Sequence, residues 1–459
     1  MTDCAQENTG KPDTGVATLW FSCNYGAILT TYALYRLLAE MGKSPVLLNY
    51  LPLWWAGFSH EPDNISVRFM KRHGIRCTEP LETDADFNRL NDNLDTFIIG
   101  SDQVWRWLFT KQYGYAYFLD FARGEKRKVA FASSFGIDRD ERPAESVAKV
   151  RWYLRAFDAL SVRERSGVDI LRETYGLEGE CVLDPVFLCQ RGEYDKLTDG
   201  EPQPEEPYIL SYVLDQNSGV CRCIAMLAKE RGLRVVNMAD AQSNAWKRES
   251  RFECGEVAAD VSPEQWLNYI RHCEFFVTDS FHGVCYAIMY NRPFVCVAPP
   301  ERGLTRFESI LSTVGLTRCL LPPDCGETEW REALRPIAWE EVNTVLDRER
   351  NRSIKWLHEA LSAPRSARRE ELGSLLHSCL YAGSGARVRH PEMEERLNCC
   401  LERHTRELSS RARVKTRMFE ILVRLMPRSI AVKYGQRAEQ ERAFAHYLSI
   451  KNSAGSHGK

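Results

Sequence analysis

Short apolar runs alternate with segments of helical period along the first part of the chain. Val16-Ala17-Thr18-Leu19-Trp20-Phe21 is apolar, and a polar, glycine-bearing loop follows, Ser22-Cys23-Asn24-Tyr25-Gly26-Ala27. Leu29, Tyr32, Ala33, Leu37 and Leu38 then recur at helical spacing, so the order is strand, loop, helix. Val46–Tyr50, Thr96–Gly100, Val129–Ser133 and Ala159–Glu164 read as further strands, the last running into a helix through residue 175. Val182-Leu183-Asp184-Pro185 closes this unit. Short buried strands between helices predict a parallel α/β sheet.

Residues 198–207 are rich in proline and acid and read as a linker. The alternation then restarts, with strands at Tyr208–Val213, Leu233–Met238, Phe275–Asp279 and Pro293–Val297. Helices fall at 218–231 and from Val284 to Tyr290, and Ser262-Pro263 supplies an N-cap serine with proline at the first helical position. The expected organisation is a Rossmann-like domain at 15–197 and a second at 208–340. A charged amphipathic helix at 341–362, with Ile354, Leu357 and Leu361 on one face, closes the core. Residues 366–459 form a basic helical extension without strand signals. Two such domains imply a cleft, and ligands of these sheets bind beyond the carboxyl ends of the strands.

Composition narrows the function classes. With 459 residues, 44% hydrophobic, several cores can form, and a net charge of −2 gives no general attraction to nucleic acid. No apolar run is long enough to span a membrane, and the polar N-terminus lacks a signal-peptide pattern. These features predict a cytoplasmic location. The 16 cysteines include no Cys-x-x-Cys pair and read as small buried hydrophobes in a reducing compartment. Neither a metal site nor a cofactor is expected.

Four loops after strands carry candidate chemistry. Asp279-Ser280-Phe281-His282-Gly283 ends a strand and opens a helix. Asp279 and Ser280 can cap that helix, whose N-terminus attracts anions, while His282 changes charge near neutral pH and Gly283 permits close backbone approach. Ser101-Asp102-Gln103 brings a carboxylate, a hydroxyl and an amide to a strand end, where Asp102 can act as a base or cap a turn. Arg163-Glu164 offers either a guanidinium fork for a carboxylate or phosphate, or a surface ion pair. Asn24-Tyr25-Gly26 is either a ligand-approaching loop or a plain turn, without a dinucleotide fingerprint. The sequence contains no Walker loop, zinc motif or Gly-x-Ser-x-Gly elbow, which favours reaction between two bound substrates over a covalent intermediate.

In content and order these segments resemble the polysaccharide pyruvyl transferase family. The resemblance rests on NYGAxLxxYAL, FIIGSDQVW, SVRE-SG with VLDP, and TDSFHG, supported by Tyr117–Phe121 and Ala130–Gly136, and covers roughly residues 15–362. It implies two Rossmann-like domains in a GT-B-like arrangement. It also implies transfer of a pyruvyl group from phosphoenolpyruvate to hydroxyls of a cell-surface polysaccharide precursor, forming a ketal. By the same resemblance His282 is the proton donor or phosphate partner, Asp102 the base on the acceptor and Arg163 the grip on the donor. Several family members have arginine two residues before the histidine; here that residue is Ser280, and Arg306 is the candidate substitute.

The expected partners are phosphoenolpyruvate and a glycan or lipid-linked oligosaccharide acceptor. The basic, apolar-faced stretch 411–437 adds an expected peripheral contact with the inner membrane face. Two other readings stay open. One is a GT-B-type glycosyltransferase using a nucleotide sugar, with Glu264 as its acidic contact. The other is a catalytically silent glycan-assembly protein.

Overall fold

The computed structural model describes residues 10–21, 24–50, 64–81, 83–214, 218–239, 254–298, 303–365 and 370. The stretch 411–437 and, apart from residue 370, the extension 366–459 lie outside the described residues. Apolar strands with few exposed positions need cover on both faces, and parallel sheets flanked by helices supply it. The first sheet contains β1 (Thr14–Ala17), β2 (Pro45–Leu47), β3 (Thr96–Asp102), β4 (Arg127–Ser133), β5 (Ala159–Val162) and β6 (Glu180–Cys181). All its pairings are parallel, in the order β2-β1-β3-β4-β5-β6.

The second sheet contains β7 (Tyr208–Tyr212), β8 (Arg234–Met238), β9 (Glu256–Ala258), β10 (Phe275–Thr278), β11 (Phe294–Val297) and β12 (Leu320–Leu321). It is also parallel, ordered β12-β11-β10-β7-β8-β9. The strand order reverses between β1 and β3 in one sheet and between β7 and β10 in the other. Both reversals open crevices at carboxyl ends, where ligands of doubly wound sheets bind. The chain thus folds into two Rossmann-like domains, each built on a parallel six-stranded sheet.

The domains share a core. Tyr25, on the first helix (Tyr25–Glu40), donates its hydroxyl to Val261 O at 3.1 Å and stacks on Trp266 with centroids 5.7 Å apart. Glu264 accepts from Arg72 Nη1 at 3.0 Å and pairs with His73 Nε2 at 2.8 Å across the same junction. The long helix Trp339–Ser362 returns to the first domain. There Trp356 stacks on Phe131 at 5.9 Å, and Arg127 donates to Ala360 O and Ala363 O at 2.9 and 2.8 Å.

Several strands differ from the sequence pattern. β1 stops at Ala17, although the apolar run continues to Phe21. Thr18 turns away to meet Thr31 Oγ1 at 2.8 Å and Trp20 donates to Leu48 O at 3.0 Å, so these side chains are buried as a packed loop. β6 precedes Val182, because Asp184 and Pro185 start a 3₁₀ turn at Pro185–Phe187. β9 and β12 have three and two residues, too few to show a period. No helix among the described residues is long and apolar enough to cross a membrane.

Candidate active site

Loops from both carboxyl edges meet around one salt-bridged group. The buried strand β5 delivers Arg163, whose side chain is entirely enclosed. Its Nη1 donates to Asp184 Oδ2 at 2.8 Å and its Nη2 to Asp102 Oδ1 at 2.9 Å. A guanidinium is suited to holding two carboxylates at once, and removing either partner would strand a buried charge. The Asp184 carboxylate also accepts from Thr30 Oγ1 at 2.7 Å, Ser101 Oγ at 2.6 Å and Val186 N at 3.2 Å. Burial works against this carboxylate, but His282, Arg163 and Ser101 together outweigh it and hold the Asp184 carboxyl well below the usual range.

Asp102 ends β3 with φ of +73°, a left-handed conformation that aspartate tolerates better than most residues. Such backbone costs of order 1–3 kcal/mol and is retained where surrounding contacts enforce it. Those contacts are Gln103 N, which donates to Asp102 Oδ1 at 2.9 Å, and Arg163. Burial opposes ionisation of Asp102, while Arg163, His282 and Arg306 favour it, and its pKa is lowered overall. Gln103 itself accepts from Arg106 Nη1 at 3.2 Å.

The second domain supplies His282 from the first turn of the helix Phe281–Met289. Ser280 is the N-cap and accepts from Gly283 N at 3.3 Å. Asp279 is turned into the fold, accepting from Leu214 N at 2.8 Å across the β7–β10 switch point. Gly283 packs so closely on β10 that a Cβ there would lie 2.7 Å from Thr278 Oγ1. The His282 ring is buried, with Nε2 3.8 Å from Asp184 Oδ2 and without a hydrogen-bond partner. Gly26 packs against the same side chain, beside Nδ1, Cγ and Cβ.

Phe281 brings two cations together. The Arg163 guanidinium carbon stands 4.5 Å from its ring centroid and that of Arg306 stands 5.6 Å from it. Arg306 is buried near the start of the helix Thr305–Thr313, and burial together with the Arg163 charge pulls its pKa down to about 10. The loop before this helix touches the first domain: a Cβ on Gly303, where φ is +85°, would lie 2.0 Å from Gly136 O.

The structure brings Asp102, Arg163, Ser101, Gly26, His282 and Arg306 into one neighbourhood. Other candidates have mainly architectural contacts. Glu164 is fully buried, accepting from Ser134 Oγ at 2.9 Å and Phe135 N at 3.0 Å, and burial pushes its carboxyl upward. Tyr25 joins the domains, and Asn24 caps the first helix by accepting from Ala27 N at 3.2 Å. Glu264 is engaged by Arg72 and His73. Sequence reasoning missed Asp184 and Phe281 as members of the site. An aspartate N-cap before a first-turn proline was the available signal for Asp184. Among the described residues no group of three or more His, Cys, Asp or Glu could hold a metal ion.

The described residues form a two-domain α/β protein with a compact ion-pair site beside the carboxyl ends of its strands. The family model for polysaccharide pyruvyl transferase matches residues 24–300, more than half of the chain. The chain belongs to that family. No curated protein matches it in sequence. Similar solved structures include the UDP-GlcNAc 2-epimerase of Neisseria meningitidis bound to UDP-GlcNAc, at 11% identity and a TM-score of 0.49, covering 77% of this chain and 99% of that one. The ADP-heptose lipopolysaccharide heptosyltransferase II of E. coli is similar at 14% identity and a TM-score of 0.35, covering 73% and 99%. These are distant likenesses of fold.

Proposed function

We propose that the chain transfers a pyruvyl group from phosphoenolpyruvate to two hydroxyls of a cell-surface polysaccharide precursor, releasing phosphate and leaving a pyruvate ketal. The observation that carries this reading is the meeting of Arg163, Arg306 and the His282 helix terminus around Phe281. A donor with both a carboxylate and a phosphate needs such a group of cations and helix N–H donors.

In the proposed reaction His282 protonates the methylene carbon of the donor, and the adjacent carbon becomes oxocarbenium-like. One acceptor hydroxyl adds to that carbon, losing its proton to Asp102. The carbon–phosphate ester bond then breaks and phosphate leaves. The second hydroxyl adds to the same carbon and closes the ketal; its proton leaves with phosphate. Both Nη groups of Arg163 already hold carboxylates, so the donor carboxylate reaches this arginine by displacing Asp102 from Nη2. Release from Arg163 makes Asp102 a stronger base as the donor arrives. Arg306 supplies the cation that Ser280 does not.

The test is incubation of the full chain with phosphoenolpyruvate and candidate glycan acceptors, following phosphate release and the ketal methyl signal by NMR. Acceptor-dependent phosphate release with a new ketal methyl supports the reading. Transfer from a nucleotide sugar, with no consumption of phosphoenolpyruvate, would replace it by the glycosyltransferase reading.

A further inference from the structure

Asp184 accepts hydrogen bonds from four segments: Thr30 on the first helix, Ser101 on β3, Arg163 just after β5 and Val186 in its own turn. A carboxylate held from so many directions cannot reorient without breaking several buried bonds. Its Oδ2 stands 3.8 Å from His282 Nε2, a buried nitrogen without a hydrogen-bond partner. A ring shift of roughly 1 Å would bring the pair to hydrogen-bond distance. Gly26 packs against Nδ1, Cγ and Cβ of the same side chain, so the base of the ring is held while Nε2 faces Asp184.

We propose that Asp184 is the positioning residue for His282: it accepts a hydrogen bond from Nε2–H, assigns the proton-handling role to Nδ1, and retains the ring when it becomes charged. With Nε2–H held by Asp184, Nδ1 is the ring nitrogen left to exchange a proton with substrate. A fixed carboxylate beside one imidazole nitrogen selects the tautomer and stabilises the charged ring. The other charged groups around His282 are Asp102 from β3 and Arg163 from β5, with Arg306 beyond Phe281; the first helix presents the uncharged Gly26. In the protein without donor Asp102 is held by Arg163 Nη2 and Gln103 N, and Asp184 is the carboxylate 3.8 Å from Nε2.

This inference rests on the proposed reaction for what His282 does, but its test does not require turnover. The ¹⁵N spectrum of histidine-labelled full-length protein at neutral pH reports which ring nitrogen carries the proton. The expected result is the Nε2–H tautomer for His282 in the wild type, retained in Ser101→Ala and lost in part or whole in Asp184→Asn. A wild-type Nδ1–H tautomer, or a tautomer ratio unchanged by Asp184→Asn, overturns the proposal. The wild-type spectrum decides alone if Asp184→Asn does not fold. Where transfer is measurable, Asp184→Asn is expected to lower kcat at least about tenfold and to change the pH profile, with the donor KM within a few-fold. Asp184→Glu, which keeps the charge, recovers part of that loss. An unchanged pH profile in a folded Asp184→Asn contradicts the positioning role even where donor transfer itself is established.

Discussion

Gly26 lies so close to His282 that a Cβ at position 26 would sit 2.2 Å from Nδ1 and 2.6 Å from the histidine Cβ. No rotamer change of the imidazole relieves a clash that includes its own Cβ. Gly26→Ala therefore has to separate the first helix from the helix carrying His282. Overpacking of this kind costs typically ~1–3 kcal/mol. The expected result is a folded protein of lower Tm whose turnover falls more than its stability. Unchanged Tm and turnover would show that the helices are not held together at this point.

Phe281 carries a different burden. It stands against both Arg163 and Arg306, and each cation–π contact of a desolvated arginine is worth about 0.5–2 kcal/mol. Phe281→Leu preserves apolar volume but removes the ring. The expected result is a Tm lowered by the loss of these contacts, together with donor affinity weakened by about 5–30-fold, measured by titration calorimetry with phosphoenolpyruvate. Equal donor affinity in the two proteins would assign Phe281 to packing alone.

Ser280 and Arg306 make a paired prediction. If Arg306 replaces the arginine that other family members have two residues before the histidine, Arg306→Ala weakens donor binding. Arg306→Ala combined with Ser280→Arg then regains part of the affinity, despite losing the serine cap, itself worth about 0.5–2 kcal/mol. The double variant binding no better than Arg306→Ala would reject the substitution of one arginine for the other.

The interdomain junction predicts a pH dependence. Burial opposes the Glu264 charge, but hydrogen bonds from His73 and nearby groups lower its pKa from 4.5 to about 2. A depressed carboxylate pKa contributes stability fully above the unfolded value, and that contribution is lost as pH falls from 4.5 through about 2. Wild type should therefore melt above Glu264→Gln at neutral pH, with the gap closing on acidification over that interval. A gap in Tm that is constant with pH would separate the contact from proton linkage.

The extent to which the sequence disclosed this molecule follows the range of the interactions involved. β3, β4 and β10 are apolar runs bounded by polar turns, so their existence was legible locally. The Ser280 cap and the Arg163 position at a strand end were legible for the same reason. Asp184 was not, because Val182-Leu183-Asp184 looks like the end of a strand and its partners Thr30 and Ser101 are distant in sequence. Phe281 carries no polar group and no local spacing that marks it as part of a site. Its contacts with Arg163 and Arg306 arise only when three separate loops meet. Glu164 shows the converse. Its place beside Arg163 made it a candidate ligand contact, whereas folding turns it inward to hold the Ser134–Phe135 loop.

Binding of phosphoenolpyruvate tests the central claim most directly, since it asks about the donor without requiring the acceptor. Thermal melting of the wild type and of Arg306→Ala should be recorded with increasing phosphoenolpyruvate, using inorganic phosphate as the comparison. A ligand at about 100 times its Kd stabilises by ~2.7 kcal/mol, enough to shift Tm by several degrees. Donor binding at this site predicts a saturable rise in Tm for the wild type, larger than with phosphate and strongly reduced in Arg306→Ala. No rise with millimolar phosphoenolpyruvate, or the same rise in both proteins, would contradict it.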